Sequence, residues 1–153
     1  SVVDRALRFL ASSKERRPTH ELFFDRDFAH PLAPSADPLE AALLAVRAAP
    51  SASNRQPWRI VRESSADGAR CYHFFLRRTP GYSRFSPHDL QMIDLGIAMG
   101  HFEWAAAEVG CTGAFAVSPG VAAALAPLPP HTEYVATFSP AAPEHAPRAK
   151  VTH

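Results

Sequence analysis

Apolar and polar positions along the chain fall into short periodic stretches separated by proline-rich loops. Val3, Ala6, Leu7 and Leu10 recur at helical spacing and predict a short helix over Val2 to Leu10. Ser12 to Pro18 follows as a basic hinge. Thr19 to Phe28 is aromatic and acidic, and Leu22, Phe23, Phe24 and Phe28 suggest packing against another surface. Pro31 and Pro34 make His30 to Asp37 an extended loop. Asp37 suits an N-cap and Pro38 a first helical position. A helix over Pro38 to Ala48 follows, with Leu39, Leu43 and Val46 on one face, ending before Pro50.

Beyond a polar loop, Trp58 to Arg62 and Arg70 to Arg77 read as strands joined by a turn at Asp67-Gly68, a hairpin pattern. Thr79 to Pro87 is a loop with Pro80-Gly81 as its turn signal. The strongest element is a helix over His88 to Val109. Leu90, Ile93, Ile97, Met99, Trp104, Ala105 and Val109 leave it few polar faces, which predicts burial in a core or an interface. Gly110 suits its C-terminal cap. Gly113 to Val117 and Tyr134 to Phe138 read as short strands around an Ala/Pro-rich loop. The tail after Pro140 is expected to be disordered.

Composition narrows the function classes. The 153 residues are 46% hydrophobic and 20% charged, with net charge +1. That is a globular balance, with no bulk electrostatic case for nucleic acid or an anionic membrane. No apolar run is long enough to span a bilayer, and Asp4, Arg5 and Arg8 interrupt any signal-peptide pattern. Cys71 and Cys111 cannot build a disulfide scaffold, so a reducing, cytoplasmic setting is expected. The 8 histidines form no His-x-x-x-His pair, and there is no Cys-x-x-Cys, so no metal site is expected. No Gly-x-Ser-x-Gly elbow and no Gly-x-Gly-x-x-Gly turn is present. Asp94 and His101 are expected to be structural.

The chemically informative stretch is Ala49-Pro50-Ser51-Ala52-Ser53-Asn54-Arg55-Gln56-Pro57-Trp58. Its hydroxyls and amides sit between two stiffening prolines. Such a loop can end a helix at the surface, or offer preformed hydrogen bonds to a polar, planar ligand. The run resembles the Ala-Pro-Ser-x-x-Asn-x-Gln-Pro-Trp motif of the nitroreductase family. Asp94 to His101, leading to Gly110, resembles that family's long central helix. Lys14-Glu15-Arg16-Arg17-Pro18 resembles its Lys-x-Arg-x-Pro segment.

The resemblance implies an α+β fold, a nitroreductase-like half with a central buried helix packed on a small antiparallel sheet. It implies an FMN-dependent oxidoreductase, taking electrons from NAD(P)H to a small-molecule acceptor such as a nitroaromatic or a quinone. Lys14, Arg16 and Arg17 match the segment that binds the FMN phosphate. Pro50, Ser51 and Ala52 match residues that approach the flavin. Asn54 and Gln56 match the motif's two amides, which contact the cofactor or organise the loop. Trp58 is expected in the core. No side chain is expected to act as a catalytic acid or base.

Two departures shape the expectation. The family's Arg-x-Ser-x-Arg segment has no counterpart before the loop; Arg84-Phe85-Ser86-Pro87-His88 has part of the spacing but reads as a loop. The Lys-x-Arg-x-Pro segment also precedes the Pro-Ser loop, the reverse of the usual order. That order resembles a single-chain subgroup in which two half-repeats mimic a dimer. Residues 1–36 then end a first half and its linker, 37–139 form a second half, and 140–153 are a tail. Ser1 in place of Met agrees with a C-terminal portion, completed by an N-terminal half or a homodimer partner. The alternative is a non-catalytic flavin-binding or interaction module that keeps the fold.

Overall fold

The computed structural model describes residues 15–142. The helix expected over Val2 to Leu10, the Lys14 assignment and most of the tail lie outside them. Five strands form one sheet: β1 (Phe23–Asp25), β2 (Trp58–Ser64), β3 (Arg70–Arg77), β4 (Gly113–Ala116) and β5 (Thr132–Pro140), in the order β1-β2-β3-β5-β4. The helices are α1 (Glu40–Ala48), α2 (Leu90–Glu108) and a single turn, α3 (Val121–Ala124). The architecture is the expected α+β. The sheet is mixed, however, because β1 pairs parallel to β2 while every other pair is antiparallel. A three-residue strand such as β1 has no period of its own to read. Its long-range partner defines it.

The β2–β3 hairpin sets the two faces of the sheet. Register pairs Trp58 with Leu76, Ile60 with Phe74 and Arg62 with Tyr72. Side chains alternate along a strand, so these point to one face. Phe138 of β5 and Phe115 of β4 join them through their pairings. α1 and α2 pack over this face. Phe102 of α2 sits 5.1 Å from Tyr72, 5.4 Å from Phe74 and 5.0 Å from Phe138, ring centre to ring centre. Trp58, Tyr72, Phe74, Phe102 and Phe138 are fully buried. Offset and edge-on ring pairs of this kind add to the hydrophobic gain.

The other face carries Arg59, Val61, Glu63, Cys71, His73, Phe75 and Thr137 by the same alternation. Phe75 anchors an aromatic row here, 5.0 Å from Phe28 and 5.6 Å from Tyr134. Among the described residues no helix packs on this face in the way α1 and α2 cover the first.

Both long helices differ slightly from their expected bounds. α1 begins at Glu40, two residues later than Pro38. Asp37 still organises the start: its Oδ1 accepts the Leu39 N–H at 3.0 Å. α2 is capped by Asp89, which accepts the Met92 N–H at 3.1 Å. Its buried positions are Gln91, Asp94, Leu95, Ala98, Phe102 and Ala106, a single stripe. Ile93 and Trp104 stand exposed on the remaining surface, so in this chain the helix is buried along one side rather than all round. No described helix is long and apolar enough to cross a membrane.

Candidate functional site

The Pro50–Trp58 loop leaves α1 and turns into β2 through a short 3-10 turn at Ala52–Asn54. Ser53, Asn54 and Gln56 all take positive φ, at 53°, 50° and 48°. Residues other than glycine adopt this left-handed region at a cost, and such strain persists where surroundings over-determine it. Three hydrogen bonds do so here. Ser51 Oγ accepts the Gln56 N–H at 2.9 Å. The Asp94 carboxylate, on α2, accepts the Ala52 N–H with its two oxygens at 2.9 and 3.0 Å. The Tyr82 hydroxyl donates to Ser53 Oγ at 3.2 Å. Asp94 is buried, and desolvation pushes its carboxyl above the ordinary carboxylate range against the opposing pull of the Ala52 bond. Asp94 thereby fixes the backbone of the loop at Ala52.

The two amides join this loop to the basic segment before it. Asn54 Nδ2 donates to Glu15 O at 2.7 Å, and Asn54 Oδ1 accepts from Arg16 Nη1 at 3.2 Å. Gln56, which is buried, accepts the Arg17 N–H at 2.8 Å and donates to Glu15 O at 3.2 Å. Asn54 Oδ1 also accepts from Gln56 Nε2 at 3.0 Å. Arg47 at the end of α1 closes the junction by donating to Arg17 O at 2.8 Å. Sequence reasoning missed Arg47, because nothing in a helical period marks which exposed arginine meets a distant backbone carbonyl.

Of the residues singled out from the sequence, Arg16, Arg17, Ser51, Ala52, Asn54 and Gln56 thus lie in one hydrogen-bonded neighbourhood. Pro50 lies exposed at its entrance. Trp58 is fully buried in the core, where it was expected. Arg84 and Phe85 fall in a 3-10 turn, Tyr82–Phe85, shortly before the Asp89 cap of α2.

Two concave surfaces flank the junction. One, of about 690 Å³, is lined by Arg16, Arg17, Asn54, Arg55 and Gln56 among others. The next, of about 580 Å³, shares Arg17 and Arg55 and adds Arg59, Arg77 and Arg78. Arg59 is buried, and its Nη1 reaches only the Gln56 and Trp58 carbonyls, at 3.0 and 2.6 Å. Its Nε has no partner. Burial, with Arg17 and Arg77 nearby, pushes its pKa down to about 10. Glu15 and Glu21, the latter paired with Arg17 at 3.1 Å, also line the region, but arginines outnumber them, and the amide-walled groove suits an anionic, hydrogen-bonding ligand.

Comparison with known proteins agrees with the motif. The model of a family described as "Putative TM nitroreductase" matches residues 15–106. The chain belongs to the nitroreductase family. No curated protein matches the sequence. Several solved structures share the fold. A nitroreductase family protein from Clostridium difficile 630 has a TM-score of 0.60 at 20% identity, covering 92% of this chain and 86% of its own. A nitroreductase with bound FMN from Desulfitobacterium hafniense DCB-2 has a TM-score of 0.53 at 17% identity, covering 96% of each chain. The NADPH:FMN oxidoreductase of Vibrio harveyi, complexed with NAD+, has a TM-score of 0.56 at 15% identity, covering 91% of this chain and 69% of its own. At these identities the structural likeness speaks to the fold, and the family match carries the membership.

Proposed function

We propose that this nitroreductase-family chain supplies one wall of an FMN site in an NAD(P)H-dependent oxidoreductase. The observation that carries the reading is the junction itself. Arg16, Arg17 and the Pro50–Trp58 loop are distant in sequence, yet they are locked together beside a cationic groove. The donor set fits a phosphate-bearing flavin: guanidinium groups for the phosphate, amides and backbone groups for polar edges. The fit covers one side only. Asn54 and Gln56 already use polar atoms to hold the junction, so their first role is to orient the loop. Lys14 would extend the cationic segment.

When bound, FMN supplies the redox chemistry, taking a hydride from NAD(P)H and passing electrons to an acceptor of the nitroaromatic or quinone class. This chain's residues bind, orient and shield. Arg16 and Arg17 neutralise phosphate charge. Ser51 and Asp94 fix the loop's backbone. The rest of the site comes from a first half of the same polypeptide or from a second copy, which the exposed Trp104 and Ile93 side of α2 would meet.

The test is the visible spectrum of the purified protein with and without added FMN. Flavin absorbance retained through gel filtration, and bleached rapidly by NAD(P)H in a stopped-flow mixer, is the expected result. Absence of flavin after reconstitution overturns the reading. Retained flavin that NAD(P)H does not reduce would favour the non-catalytic module. Asn54→Ala is expected to weaken flavin retention by loosening the junction.

A further inference from the structure

On the face of the sheet opposite the helices, far along the hairpin from the groove, three side chains of different donor chemistry converge. Glu63 and Cys71 are directly paired across β2 and β3, and His73 follows Cys71 by two residues on the same face. His73 Nε2 lies 2.7 Å from Glu63 Oε2 and 3.7 Å from Cys71 Sγ. Cys71 Sγ lies 3.9 Å from Glu63 Oε2. Among the described residues this is the one group of three potential metal ligands so close together. We propose that Glu63, Cys71 and His73 bind a thiophilic divalent cation, Zn2+ above all. The inference is independent of the flavin reading.

The distances fit the ion. Zn–S bonds of about 2.3 Å and Zn–N or Zn–O bonds of about 2.0–2.2 Å, at tetrahedral angles, put sulfur about 3.6 Å from each of the other donors. They put nitrogen about 3.4 Å from oxygen. Both sulfur separations already match to within a few tenths of an ångström. Only the His73–Glu63 separation must open, and the Glu63 side chain is 61% exposed and free to swing. A plain His–Glu hydrogen bond explains two of the groups, but it gives no reason for a thiol within 4 Å of both.

The supporting hydrogen bonds point the same way. His73 is 3% exposed, and its Nδ1 lies 2.8 Å from Thr137 Oγ1. Thr137 Oγ1 is in turn 2.7 Å from the Tyr134 hydroxyl, which accepts the Ser118 N–H at 2.9 Å. Thr137 Oγ1 has lone pairs for the Tyr134 O–H and for a His73 Nδ1–H, the tautomer that a metal on Nε2 requires. The chain therefore holds the ring with Nε2 presented to Glu63 and Cys71, the arrangement metal-binding histidines need. On binding, the Cys71 thiol releases its proton to solvent as sulfur takes the metal. A sulfur–nitrogen–carboxylate set selects Zn2+ over Mg2+ or Ca2+, which require oxygen ligands. Water completes the fourth position on the exposed side.

The probes are Co2+ and Zn2+ added to the reduced, metal-free, untagged protein. A near-ultraviolet thiolate-to-cobalt band saturating at one equivalent is expected, displaced by Zn2+. Calorimetry should give one Zn2+ site. Cys71→Ser and His73→Ala should each abolish the band or weaken binding at least about tenfold, and Thr137→Val should weaken it about tenfold. Cys111→Ser should change nothing. Glu63→Gln, at an exposed position, should also weaken binding and keeps the test valid if His73→Ala does not fold. No stoichiometric binding overturns the proposal. So does binding that survives loss of His73 or Glu63 undiminished, which marks a lone thiol or an adventitious ion.

Discussion

The two faces of this sheet are buried by different chemistry. The helix-covered face is largely apolar, and the carboxylate of Asp37 there is well served. Asp37, whose side chain is 8% exposed, accepts from the Tyr72 hydroxyl at 3.1 Å and from Leu39 N–H, and it pairs with Arg70 and Arg62. The opposite face holds its polar groups among aromatic rings. There Arg59 is buried beside like charges with an Nε that bonds to nothing, and His73 ends a hydrogen-bonded chain at a thiol. Trp58 Nε1 on the first face also has no partner, so the contrast lies in charge: the Asp37 carboxylate is paired, whereas the Arg59 guanidinium is buried beside Arg17 and Arg77. Stability should concentrate on the first and ligand dependence on the second.

The largest effect should come from the apolar face. Phe74→Ala empties a site ringed by Phe102 and Phe115, and is expected to cost about 3–5 kcal/mol in denaturant unfolding. A loss under about 1 kcal/mol would mean that α2 is poorly seated and that the two faces do not differ as described.

Next comes Asp37→Asn. The variant keeps the shape but loses charge-assisted bonds, at an expected cost of about 1.5–3 kcal/mol near neutral pH. Burial works to raise the Asp37 carboxyl, but the Leu39 N–H, Tyr72 and Arg70 outweigh it, and its pKa falls below the ordinary 3.8. A depressed carboxylate stabilises the fold above its unfolded pKa, and that contribution fades as pH falls through the folded value. The gap between wild type and Asp37→Asn should therefore narrow below about pH 4. A gap that widens in acid would contradict the pairing.

Much of the helix-covered face was legible in the sequence, because period alone reports it. The Arg70–Arg77 strand, the α1 stripe of Leu43 and Val46, and the buried Trp58 all follow from local alternation or motif. What was not legible depends on partners distant in the chain. β1 exists because Phe23 meets Ile60, and the Val135 irregularity of β5 arises only in its pairing with β3. The site divides the same way. The residue types of the Pro50–Trp58 loop could be read, but not the left-handed backbone of Asn54 and Gln56, nor that their amides turn back onto Glu15 and Arg17. Glu63, Cys71 and His73 escaped for a related reason. Metal-ligand spacings seen in helices and loops do not describe ligands gathered by a strand alternation and a cross-strand pair.

Arg59→Met gives the smallest expected change and the sharpest test of the contrast. The substitution keeps much of the volume and removes a charge that burial, Arg17 and Arg77 all disfavour. It also strips the Gln56 and Trp58 carbonyls of a donor. Each of these effects is of order 1 kcal/mol or somewhat more, and they oppose one another. Urea unfolding should place the variant within about 1 kcal/mol of wild type. A loss above about 2 kcal/mol would show that Arg59 is held by a counter-charge, which would make this face as self-sufficient as the other. Near-neutrality would mean that the guanidinium is retained at no benefit to folding, as expected of a group kept for an anionic ligand in the groove.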